Sequence, residues 1–86
     1  MRAMYKKAAT INKIAAVMKG FATRDEIAEE INYFMEVEGM SLKKAEKTLI
    51  ANIDCWARWN PHDGNDVVWE RMEALGIEID SEYCTK

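Results

Sequence analysis

"SLKKAEKTLIANIDCWARWN", residues 41–60, decides the fold. Leu42, Ala45, Leu49, Ile53 and Trp56 recur at spacings of three, four, four and three. A helix of 3.6 residues per turn gathers such positions onto one face, whereas a half-buried strand would alternate. Ser41 suits the N-cap, where its hydroxyl can accept a backbone N–H. Asn60 precedes Pro61, whose ring drives the preceding residue out of helical geometry, so the helix ends at about Trp59.

Upstream, Thr23 and Glu26 form a T-x-x-E capping box that opens a helix from about residue 24 to residue 37. Ile27, Ile31 and Phe34 make its apolar stripe, flanked by Met35, and Gly39 supplies a stop. Before it, Met4, Ala8, Ile11, Ala15 and Met18 share a face widened by Ile14, which predicts a first helix from about residue 3 to residue 19, closed by Gly20. Downstream, Val68, Met72 and Leu75 predict a short helix over about 67–75, with Asp66 as cap and Gly76 as stop. "IEID" at 77–80 alternates apolar and charged residues but has no evident partner strand, so it reads as an extended tail. The expected fold is all-α: one compact three-helix domain over residues 1–86, with a short fourth helix and an extended C-terminal tail.

Composition agrees with a small globular domain. Of 86 residues, 49% are apolar and 31% charged, which is wrong for disorder. Four glycines and one proline leave few turns for an all-β fold. Cys55 and Cys84 are too few for a disulfide scaffold and fit a reducing cytoplasm better than a secreted setting. No apolar run approaches the ~18 residues that span a bilayer. The acid-free first twenty residues resemble a targeting presequence in composition, but their apolar stripe continues into the domain, which favours a basic first helix.

The stretch from Cys55 to Trp69 concentrates three tryptophans, the single histidine and the single proline. Trp56 falls in the core stripe. Trp59 lies about 80° off the line through Leu49, at the rim, and Trp69 sits beside its own stripe. Two expectations follow. The rings of Trp59 and Trp69 pack and clamp the intervening loop, or Trp59, His62 and Trp69 form a partly exposed patch rimmed by Asp63 and Asp66. Tryptophan is strongly enriched at binding hot spots. Metal and catalytic alternatives have little support. Cys55, His62, Asp63 and Cys84 show no close ligand pair for zinc, and no residue is placed to orient a Cys55–His62 nucleophile. No glycine-rich phosphate or dinucleotide motif exists, so no cofactor is expected.

The net charge of -3 is unevenly spread. Residues 1–20 carry five basic residues and no acid, with Arg2, Lys6 and Lys13 opposite the apolar stripe. Residues 21–40 carry six acids against Arg24. Asp25, Glu29 and Glu36 form an outward acidic ridge with Tyr33 nearby. Such a ridge is either a solvated face or a surface complementary to a partner. A helix-turn-helix-like nucleic-acid-binding regulator is the competing expectation. Its second helix would carry Asp25, Glu26, Glu29 and Glu30 towards phosphates, and only Lys43, Lys44 and Lys47 offer an alternative. The first helix could also lie on an anionic membrane, but its alanine- and methionine-based face is a small driving area.

The sequence therefore points to a non-enzymatic protein–protein interaction module, a regulator, adaptor or inhibitor of the kind that phages and mobile elements also carry. Its partner is expected to be another protein, with nucleic acid less favoured, no membrane, no metal, and a homodimer open. Trp59, His62 and Trp69 are the candidate contacts on one surface, and Asp25, Glu29, Tyr33 and Glu36 on the other.

Overall fold

A computed structural model describes residues 2–60 and 64–79, with side chains from Lys6 onward. Among the described residues four helices follow one another: α1 (Arg2–Val17), α2 (Arg24–Glu36), α3 (Leu42–Trp59) and α4 (Val67–Ala74). There is no strand among the described residues. Residues 77–79 have no regular structure, and the rest of the expected tail lies outside the described residues, as does His62. The chain divides into two compact units, Met1–Glu46 and Lys47–Lys86, so that α3 begins in the first and ends in the second.

In the first unit, α1 and α2 pack on each other. Ile27, Ile31 and Phe34 are buried on α2, as their spacing predicts. On α1 the buried residues are Thr10, Ile11, Ile14 and Val17, while Ala8, Ala15 and Met18 are only half-buried. The buried face of α1 is thus centred on Ile14, rotated by roughly 100° from the Met4–Ala8–Ala15 line. Burying a branched aliphatic removes far more apolar area from water than burying alanine, so the isoleucines and valine set the face. That rotation brings Lys13 to the edge, where its ammonium pairs with the half-buried Glu46 at the start of α3. Arg24 Nε donates to Asn12 Oδ1 at 2.7 Å, tying the first turn of α2 to α1.

The capping box forms as expected. Thr23 Oγ1 accepts from the Glu26 N–H at 3.1 Å, and Glu26 Oε1 accepts from the Thr23 N–H at 2.8 Å. Ser41 Oγ accepts from the Lys44 N–H at 3.2 Å at the start of α3. Asp66 precedes α4 but makes no side-chain cap bond, because its backbone is already helical and not in the extended geometry of a cap. Gly76, at φ +68°, ends α4 in a left-handed residue, and the Ile77 N–H returns to the Met72 carbonyl at 2.9 Å.

In the second unit, α3 buries Leu49, Ile50, Ala51, Ile53, Asp54 and Ala57, and α4 buries Val68 and Met72. Ala45, Leu49 and Ile53 of the expected stripe are buried, and over residues 47–59 the face widens past them to centre between Ile50 and Ala57. Trp56 moves from the core to a half-buried flank as a result. Two asparagines make hydrogen bonds beyond the end of α3. Asn60 Nδ2 caps the Trp56 carbonyl at 2.9 Å, and the buried Asn65 donates Nδ2 to the Asn60 carbonyl at 2.7 Å.

Candidate functional site

Asp54 is the residue that the sequence does not advertise. It is fully buried on α3, in line with Ile50 and Ala57 at spacings of four and three. Burying a carboxylate is costly unless its lone pairs are met. Here Oδ1 accepts from Trp69 Nε1 at 2.9 Å, and Arg58 Nε donates to Oδ1 at 3.2 Å and Oδ2 at 3.0 Å. Arg58 lies one turn along α3, so the helix itself delivers the counter-charge. Trp69 comes from α4 and fixes that short helix against the end of α3. An open cleft of about 550 Å³ lies beside this contact, lined by Asp54, Arg58, Trp69, Glu73, Ile77 and Ile79.

Trp69 is therefore half-buried and oriented by a carboxylate, while Trp59 is 75% exposed. With the buried face of α3 centred between Ile50 and Ala57, Trp59 lies about 160–180° away, on the opposite side of the helix. The structure does not bring the two rings into a clamp: Trp59 stands in solvent and is absent from the cleft lining.

No family model, curated protein or solved structure matches the chain.

The second surface is the outward face of α2, in the first unit. Asp25, Glu29, Glu36, Tyr33, Glu26, Val37 and Glu30 occupy an arc of about 140°, and every one of them is exposed. Tyr33 is 49% and Val37 67% exposed, one turn apart. The Tyr33 ring meets the buried Phe34 ring edge-on, with centroids 6.0 Å apart at 66°. The four α2 residues singled out from the sequence are thus brought together, and Val37 joins them as an apolar position that the acidic pattern hid. Glu26 is engaged in the cap, which holds its carboxyl below the usual carboxylate range, chiefly through the Thr23 backbone N–H and then through the Thr23 hydroxyl.

Among the described residues, no three His, Cys, Asp or Glu side chains converge to hold a metal ion. No described helix is long and apolar enough to cross a membrane.

Proposed function

We propose that the chain is a non-enzymatic protein-binding module, acting as a regulator, adaptor or inhibitor, that docks another protein on the outward face of α2. The observation that carries this reading is the pair Tyr33 and Val37, exposed one turn apart within a field of carboxylates. A merely solvated ridge needs no apolar anchors. In an interface the apolar pair contributes affinity, and the carboxylates set orientation and association rate. The same face opposes nucleic acid, since its charge repels phosphates. The exposed Lys43, Lys44 and Lys47 at the start of α3 are the surface on which a nucleic-acid reading would have to rest.

The test is capture from host lysate at ~0.1 and ~0.5 M salt, with the native chain and a Tyr33→Ala/Val37→Ala variant compared side by side. The expected result is a protein retained by the native chain at both salts and depleted at least about tenfold by the variant, with helicity unchanged. Nucleic acid eluting at high salt, captured equally by both chains, would overturn the proposal.

A further inference from the structure

The cleft beside Asp54 falls within the ~300–1,000 Å³ range of ligand sites, and it shares no residue with the α2 face. The geometry points to a peptide site for a cationic side chain flanked by aliphatic residues.

Charge is the first argument. Two carboxylates, Asp54 and Glu73, stand against one guanidinium, Arg58, among the lining residues. Arg58 already neutralises Asp54 at hydrogen-bond distance, so Glu73 gives the cleft its net sign. Placement is the second. Trp69 and Glu73 are one turn apart on α4 and line the same cleft. A lysine or arginine head entering between them meets an aromatic face and a carboxylate together. Ile77 and Ile79 follow α4 at a spacing of two and both line the cleft, which provides an aliphatic wall for the neighbouring ligand residues. Arg58 supplies the third element. Both of its bonds to Asp54 come from Nε, and the side chain is 43% exposed. A guanidinium has four further N–H donors on its terminal nitrogens, and these suit the carbonyl of an extended peptide. An anionic ligand would instead meet Asp54 and Glu73.

The probe is the blocked tripeptide acetyl-Ile-Lys-Ile-amide, titrated into the full chain against its Ile-Glu-Ile counterpart. The readouts are the Trp69 Nε1–H signal and the backbone amides of Ile77 and Ile79 in nitrogen-correlated NMR spectra. The lysine peptide is expected to shift all three signals, and the glutamate peptide to shift none. Glu73 is exposed, so Glu73→Gln tests the charge without disturbing the core; it should weaken binding about three- to fivefold. Glu73→Lys should abolish the preference for lysine. Signals unmoved by the lysine peptide at millimolar concentration, equal response to both peptides, or an unchanged affinity in Glu73→Gln would each overturn the assignment. None of these results bears on the α2 face.

Discussion

Trp59 and Trp69 are one residue type in two opposite environments, and substitution should separate them. Trp69→Phe keeps an aromatic ring but removes the N–H that donates to the buried Asp54. A buried acceptor losing its donor costs about 1–3 kcal/mol, to be measured by urea unfolding. Trp59→Ala removes a ring that is mostly in water, and its effect on stability should stay within about 0.5 kcal/mol. A Trp59→Ala loss as large as that of Trp69→Phe would show that the ring is buried after all. The sequence marks both tryptophans as special but does not separate their roles. That separation depends on which side of α3 is buried, and the regular Leu42–Leu49–Ile53 stripe suggests a face tilted away from the true one. Asp54 stayed hidden for a related reason. An aspartate between Ile50 and Ala57 looks like an interruption of an apolar face until Trp69 arrives from another helix to meet it.

Helix ends, the Asp66 cap apart, and the stripe of α2 were legible, whereas the rotation of the buried faces of α1 and α3 was not. Thr23, Glu26 and Gly76 act through local backbone geometry, which a short sequence window contains. Face rotation depends on the volume of side chains across the core, which such a window lacks. Ile14 and Val17 thus outrank the alanines of α1 for a reason that spacing alone does not express. The cap of α2 makes two measurable statements. Thr23→Ala should cost about 1 kcal/mol, read as a lowered unfolding midpoint. Glu26 binds its proton less readily in the folded chain than in the unfolded one. Its contribution is therefore complete above the unfolded carboxyl value and fades as pH falls through the lowered folded value. The Thr23 amide shift should titrate with a midpoint below that of an ordinary glutamate, and Glu26→Gln should remove that titration. A midpoint at or above the ordinary value would contradict the capping geometry.

Across the whole molecule, charge is concentrated more than the net value of -3 suggests, because six acids fall between residues 21 and 40. Reversing Glu29 and Glu36 to lysine should slow association with a captured partner about tenfold or more at low salt, with a much smaller effect at ~0.5 M, as stopped-flow or surface binding would record. An unchanged low-salt rate would reduce the ridge to a solvated face. The tryptophans are as unevenly distributed as the charge: Trp56, Trp59 and Trp69 all belong to Lys47–Lys86, and Met1–Glu46 has none. Indole emission is consequently an optical report on one unit only, whereas far-ultraviolet dichroism sums the helices of both. Followed together through a denaturant series, the two signals let a single unlabelled sample show when each half of the chain gives way.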